Sequence, residues 1–372
     1  MSHANRNLHL DWVRGISALI VCAGHTRNAL LPDFADLPTH GLMAQLVYFS
    51  TGFGHAAVMV FFVMSGYLVG GSVLSTKGAF DWQRYLVNRY VRLWVVLLPA
   101  LIWTWLVDQQ TLALAPQVLQ GGLAQNWHSL PAKGEYSTSF LTLLLNLGFQ
   151  QTVTAPVFGS NGPLWSLANE AWYYLLFPLL VVPLLDRRWW VALTHWPLAA
   201  LMLAFMPADM LWLLPVWMAG ALLRKLPMGL LKGRMAFGLI TGAAFLAVLV
   251  TYKKLGQTRF DAHTWDGLIG LSFTLWAAYL IQNAGGGHNK LLGRMAIRLS
   301  DFSYSLYLVH MPLALLFGAM LSVPLKRVGE AGDFLVFAGA VAVELLFAYA
   351  FWWVFENRTS VVKHWVFKVL KH

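Results

Sequence analysis

Apolar runs long enough to cross a bilayer recur along almost the whole chain, and they constrain its fold more than any motif does. A helical span needs about 20 mostly apolar residues at about 1.5 Å of rise each. Ten stretches meet that pattern: 10–31, 53–74, 86–106, 164–185, 189–206, 210–224, 235–252, 265–283, 301–322 and 334–355. In hydrocarbon every backbone N–H and C=O must be satisfied internally, which leaves helices or a closed barrel, and runs of this length select helices. The expected fold is all-α, a polytopic membrane protein of about ten transmembrane helices. Composition agrees, with 58% hydrophobic and 11% charged residues, against roughly 25% charged in a soluble domain. The sixth run is short and interrupted by Pro215. Between the third and fourth runs, 107–163 reads as an extracytoplasmic loop. Its one apolar segment, "SFLTLLLNLGF", is too short to cross and is expected to be interfacial or re-entrant. No internal repeat or low-complexity tract is visible, so residues 1–372 read as one integral-membrane domain.

Charge sets the orientation. The net charge is +10, but the basic residues sit in short inter-helix loops rather than on one tail, which speaks against nucleic acid. With the amino terminus inside, Arg84, Arg188, Lys232, Arg234, Arg294, Arg298 and Lys363 all face the cytoplasm, and the outside receives far fewer, among them Arg27, Lys253 and Lys254. That excess follows the positive-inside rule and needs an even number of crossings, so both termini are expected in the cytoplasm of a cell (bacterial inner or plasma) membrane. The first run is no cleavable signal, because Asp11 and Arg14 interrupt it. The single cysteine, Cys22, excludes an intrachain disulfide and a cysteine metal cluster, and no metal is expected.

Ionisable residues inside spans cost at least a few kcal/mol each and point to function by default. "LDWVRGISALIVCAGH", residues 10–25, carries Asp11, Arg14 and His25. Position along a span converts to depth. Arg14 comes out about 6 Å above the inner boundary, with Arg89 and Arg92 at similar depth. His25 is roughly 16 Å higher on nearly the same helix face. The fourth span runs inward, which puts Glu170 about 9 Å below the outer boundary, level with His25, while His310 and Glu344 fall near the midplane. These layers describe a polar passage through a helical bundle. Plainer readings stand beside them: Arg89 and Arg92 also fit snorkelling to headgroups, Asp11 fits a helix pair with Arg14, and Glu344 fits a bond to a neighbouring helix. Ser303, Tyr307 and His310 share one face by i, i+4, i+7 spacing and fit either a passage lining or an inter-helix seam. Gly66, Gly70 and Gly71 mark a small-residue packing face, which makes Ser65 a packing residue rather than a nucleophile. His9, His40, His55, His128 and His372 read as solvated or packed histidines.

Five motifs, in order along the chain, are similar to those of the acyltransferase-3 family of membrane O-acyltransferases. They are "LDWVRGISALIVCAGH", with Arg14 and His25; "FFVMSGYLVGG"; "RYVRLW", with Arg89 and Arg92; "LWSLANEAWYYLLFP", with Ser166, Glu170 and Tyr173 or Tyr174; and "SYSLYLVHMPL", with Ser303, Tyr304, Tyr307 and His310. Family members commonly carry a proline soon after the Arg-x-x-Arg pair, whereas here the first is Pro99. The short stretch after the last span resembles the stand-alone type, without a soluble esterase-like extension.

The resemblance implies acyl transfer, most often of acetyl, from cytoplasmic acyl-coenzyme A to a hydroxyl of a surface or exported polysaccharide or glycolipid. Arginine suits forked contacts with phosphate, so Arg14, Arg89 and Arg92 are expected to hold the nucleotide end of coenzyme A. His25 is the expected general base, and Glu170 is expected to orient its ring or steady the imidazolium. Ser166, Tyr173, Ser303, Tyr307 and His310 are expected to line the passage. The alternative is a transporter or flippase for a lipid-linked sugar or another small substrate, using the same polar residues as a relay.

Overall fold

The structure is a computed structural model and describes residues 6–121, 134–186, 188–256, 260–283, 290–321 and 330–370. His128 and His372 lie outside the described residues. The helices are α1 (Leu8–Leu30), α2 (Leu42–Ser50), α3 (Gly54–Ser65), α4 (Gly71–Leu74), α5 (Trp82–Leu114), α6 (Pro116–Leu119), α7 (Phe140–Leu147), α8 (Leu164–Leu185), α9 (Trp189–Phe205), α10 (Ala208–Leu222), α11 (Met235–Leu255), α12 (Ala262–Gln282), α13 (Lys290–Leu321), α14 (Ala331–Val354) and α15 (Thr359–Val369). No strand occurs among the described residues, where the one β-type contact is an isolated bridge between Gln151 and Ala155.

Six stretches are helical, long and apolar enough to cross a membrane: Leu42–Leu74, Trp82–Leu114, Leu164–Leu185, Met235–Leu255, Lys290–Leu321 and Ala331–Val369. The other four sequence runs are helical too, as α1, α9, α10 and α12. Among these, α9 has 17 residues and α10 has 15, both short for a span. Large apolar side chains stay on the outside, with Leu335 75% exposed and Ile240 69%. In water such a surface would drive association, whereas in lipid it costs nothing.

The chain forms two compact units, and it passes from one to the other inside α1, α8 and α13. The first unit comprises Met1–Ser17, His55–Asp81 and Asn169–Ser300. Its core centres on Trp217 of α10, fully buried against Tyr173, Tyr174 and Phe177 of α8. Close approach explains the glycines expected to pack. Between α3 and α4 the helix widens into a π turn at Gly66–Gly70. A Cβ on Gly66 would overlap the Trp217 carbonyl oxygen, one on Gly70 the Trp217 ring, and one on Gly220 the Val63 carbonyl. Two helices are thus in backbone contact here, which only glycine permits. Asp11 accepts a two-pronged bond from Arg6, at 2.7 and 3.0 Å. His55, one of the histidines read as ordinary, bonds the buried carboxylate of Asp266 at 2.6 Å.

The second unit comprises Ala18–Gly54, Trp82–Ala168 and Asp301–His372. Two buried apolar clusters clamp the C-terminal half of α1. Ala23, Leu30 and Leu31 pack with Tyr48 and with Phe334, Phe337 and Ala340 of α14. Ala29 packs with Val118 and Leu119 and with Met311, Ala314 and Leu315 of α13. Helix α5 is continuous over 33 residues with Pro99 inside it, so the late proline leaves the Arg-x-x-Arg turn undisturbed. The clamp on α1 is what places His25.

Candidate active site

His25 lies on the clamped half of α1, and its Nδ1 is 2.8 Å from Nε2 of His310 on α13. The ring planes differ by 1° with centroids 5.1 Å apart, so the contact is an in-plane bond edge to edge. His310 is fully buried. Its own Nδ1 is 2.9 Å from the carbonyl oxygen of Leu306, one turn earlier on the same helix. A carbonyl only accepts, so Nδ1 of His310 must carry a proton and donate. In the neutral ring Nε2 is then bare and accepts, which puts the proton between the rings on Nδ1 of His25. Neutral His25 is left with a bare Nε2, and among the described residues no other group hydrogen-bonds its ring. A bare, oriented imidazole nitrogen whose partner fixes the tautomer is the arrangement general-base catalysis needs.

At Nδ1 of His25, His310 makes an orienting contact of the kind that the sequence reading expected of Glu170. The midplane depth assigned to His310 gave no sign that it meets His25. Spacing along one helix does not reveal a partner 285 positions away.

Beside the pair, Tyr307 of α13 lies 6.0 Å from the His310 ring, centroid to centroid. Its hydroxyl bonds Ser166 Oγ at 2.7 Å and the Pro163 carbonyl at 3.1 Å. Ser166 and Tyr307, expected separately as lining residues, are thus brought together. Ser303 is buried on the same helix. The loop before α8 is held by residues the sequence reading passed over. Asp108 of α5 accepts from Ser160 Oγ at 2.5 Å and from its backbone N–H at 2.9 Å. Asn161 donates to Thr104 Oγ1 at 3.0 Å and to the Leu308 carbonyl at 2.8 Å, two residues from His310. The signal available for Asp108 was a carboxylate two residues past an apolar run, read there as the start of a loop.

Glu344 of α14 is buried, and its Oε2 accepts from Thr26 Oγ1 at 2.7 Å and Cys22 Sγ at 2.8 Å. Both donors flank His25 on α1. The bond to a neighbouring helix, one of the readings open from sequence, is the arrangement found. Oε1 of Glu344 is buried without a hydrogen-bond partner among the described residues.

In the first unit, Glu170 closes a directed chain. Trp217 Nε1–H donates to Ser65 Oγ at 3.2 Å, Ser65 bonds the Tyr174 hydroxyl at 3.1 Å, and Tyr174 donates to Glu170 Oε2 at 2.9 Å. Tyr174 is therefore the tyrosine that reaches Glu170, while Tyr173 donates to the Met210 carbonyl at 2.5 Å and ties α8 to α10. Arg14 is half-buried on α1 in this unit. In the second unit Arg89 is half-buried over the Tyr85 ring, 5.8 Å from its centroid, and Arg92 is exposed. No group of three or more metal-ligating side chains occurs among the described residues.

Comparison with known proteins agrees with the motifs. Acyltransferase MdmB of Streptomyces mycarofaciens is 25% identical over 327 residues, covering 81% of this chain and 77% of that protein. No solved structure matches the chain. The model of the acyltransferase-3 family, described as an acyltransferase domain, matches residues 7–353, and the chain is a member of that family and a multi-pass membrane protein.

Proposed function

We propose that the protein transfers an acyl group, acetyl in the first instance, from acyl-coenzyme A in the cytoplasm to a hydroxyl of a surface or exported polysaccharide or glycolipid. His25 is the general base. Its bare Nε2 takes the hydroxyl proton as the acceptor oxygen attacks the thioester carbonyl. When the tetrahedral intermediate collapses, the C–S bond breaks and the proton passes from the His25 imidazolium to the departing coenzyme A thiolate. His310 keeps Nδ1 of His25 protonated and the ring in plane throughout, as the triad carboxylate does in serine hydrolases.

The observation that carries this reading is the directed bond series from His25 Nδ1–H to His310 Nε2 and from His310 Nδ1–H to the Leu306 carbonyl. Arg14, Arg89 and Arg92 are assigned to the donor's phosphates, since the guanidinium fork matches phosphate oxygens. Ten crossings with both termini in the cytoplasm belong to the same proposal, and they bring the donor from the inner side.

The test uses purified protein in liposomes with radiolabelled acetyl-coenzyme A and a glycan acceptor. The wild type transfers label. His25→Ala and His25→Gln, both still membrane-inserted, lose at least about a hundredfold in rate, the usual contribution of a general base. Full transfer by either variant removes His25 from the chemistry, and movement of the glycan without label transfer identifies a carrier instead. Mass spectrometry of the product identifies the acyl group and the modified hydroxyl.

A further inference from the structure

A cavity of about 360 Å³ lies in the first unit at the carboxy-terminal ends of α10 and α12, where their apolar stretches stop. Small-ligand pockets span roughly 300–1,000 Å³. Leu226, Met228 and Ala278 are among its apolar walls, and Tyr67, Arg224 and Gln282 supply its polar groups. Arg224 is held in place along its length. Its stem packs on Gly71, where an added Cβ would stand 3.0 Å from the Arg224 Cβ. Its Nε donates to Ser75 Oγ at 3.2 Å, and its guanidinium carbon lies 6.0 Å from the Tyr67 ring centroid. The two terminal guanidinium nitrogens have no hydrogen-bond partner among the described residues.

Gln282 is only 9% exposed, and its Oε1 accepts from the Leu231 N–H at 2.9 Å. A backbone N–H only donates, so the amide orientation is fixed and Nε2 is left as a donor. That nitrogen has no partner among the described residues, on a side chain that lines the cavity. Asn283 pins the same loop, accepting from the Gly233 N–H at 2.7 Å and donating to the Leu231 carbonyl at 2.9 Å. Both polar groups therefore offer N–H donors from a braced frame and suit a ligand that accepts. Charge points the same way. The segments around the cavity, 67–77, 223–234 and 276–283, hold Lys77, Arg224, Lys225, Lys232 and Arg234 but no Asp or Glu. Such a surface favours an anion. Apolar walls beside cationic donors, at the end of membrane helices, suit an anionic lipid.

We propose that this cavity binds an anionic phospholipid of the surrounding bilayer. Its phosphate rests on the Arg224 guanidinium and the Gln282 amide, and an acyl chain lies along Leu226, Met228 and Ala278. None of these residues is among those assigned to acyl transfer, and the site stands independently of that assignment.

Purified full-length protein in a neutral detergent is titrated with phosphatidylglycerol and with phosphatidylcholine, and bound lipids are counted by native mass spectrometry. The wild type binds one phosphatidylglycerol about tenfold or more tightly than phosphatidylcholine, the size of one charge-assisted contact. Arg224→Ala removes an exposed side chain, and Gln282→Glu keeps the acceptor for Leu231 while removing the amide donors. Each abolishes the preference. Arg234→Ala, away from the cavity wall, leaves it within about threefold. Equal affinity of the wild type for the two lipids overturns the proposal, as does an unaltered preference in either Arg224→Ala or Gln282→Glu. An equal loss in Arg224→Ala and Arg234→Ala marks a diffuse field rather than a site and also overturns it. Glycerol 1-phosphate and coenzyme A, at concentrations equal to the lipid, leave it bound; displacement by either marks a site for soluble phosphates and overturns the assignment to lipid.

Discussion

At the scale of single residues, the proposed chemistry turns on which nitrogen of His25 is protonated. A Leu306 carbonyl that can only accept settles the question through His310. Removing His310 leaves His25 free to rotate and to adopt the other tautomer. His310→Ala is expected to lose about a hundredfold or more in acetyl transfer, of the order seen when an orienting group is removed. His310→Gln offers its carbonyl oxygen to the same Nδ1–H and is expected to keep activity within about tenfold of wild type. Steady-state transfer rates in liposomes measure both, and an unimpaired His310→Ala enzyme contradicts the role. Glu344 acts one step further out, by receiving Thr26 and Cys22 on either side of His25. Glu344→Ala strands buried donors and is expected to cost about 1–3 kcal/mol, whereas Glu344→Gln retains an acceptor oxygen and costs less. Thermal midpoints in detergent give the order, and a Gln variant less stable than the Ala variant runs against it.

At the scale of elements, backbone contact between α10 and the π turn after α3 fixes the first unit. Gly66→Ala forces a methyl group onto the Trp217 carbonyl, so the two helices must separate. The expected cost is about 1–3 kcal/mol, or failure to accumulate in the membrane, read by expression and thermal midpoint. A variant as stable as wild type would show that the contact yields freely. Tyr307→Phe removes the bond to Ser166 and is expected to lower stability by about 1 kcal/mol. Elements are also where the sequence was most legible. An apolar run of about 20 residues has one solution in lipid, and each of the ten runs is a helix. The glycine spacing announced a packing face, and the face exists. The extension of α13 back to Lys290 and the terminal α15 were not read because their residues mix charge with apolarity, and α2 because nine residues are too few for a crossing. Partnerships were harder still. His25 with His310, Glu344 with α1, and Asp108 with the loop before α8 join residues far apart in sequence, and periodicity along one helix holds no record of the helix opposite. Chemistry-bearing residue types were visible; their pairing was not.

At the scale of the whole molecule, the distribution of Lys and Arg leads to the proposal that both termini lie in the cytoplasm after an even number of crossings. Reporter fusions at the carboxy terminus are expected to be active only as cytoplasmic reporters, and a periplasmic signal there contradicts the orientation. In the proposed function, that orientation would present Arg89 and Arg92 to a cytoplasmic donor, with the histidine pair as proton acceptor. The most direct test of the account is the protonation pattern of that pair in the membrane. Solid-state NMR of protein labelled with nitrogen-15 histidine, assigned by difference against His25→Gln and His310→Gln, reports which nitrogen of each neutral ring bears hydrogen. The account predicts protons on Nδ1 of both rings, a bare Nε2 on His25 and a coupling across the His25 Nδ1–His310 Nε2 bond. A proton on Nε2 of neutral His25, or no coupling between the two rings, would contradict it.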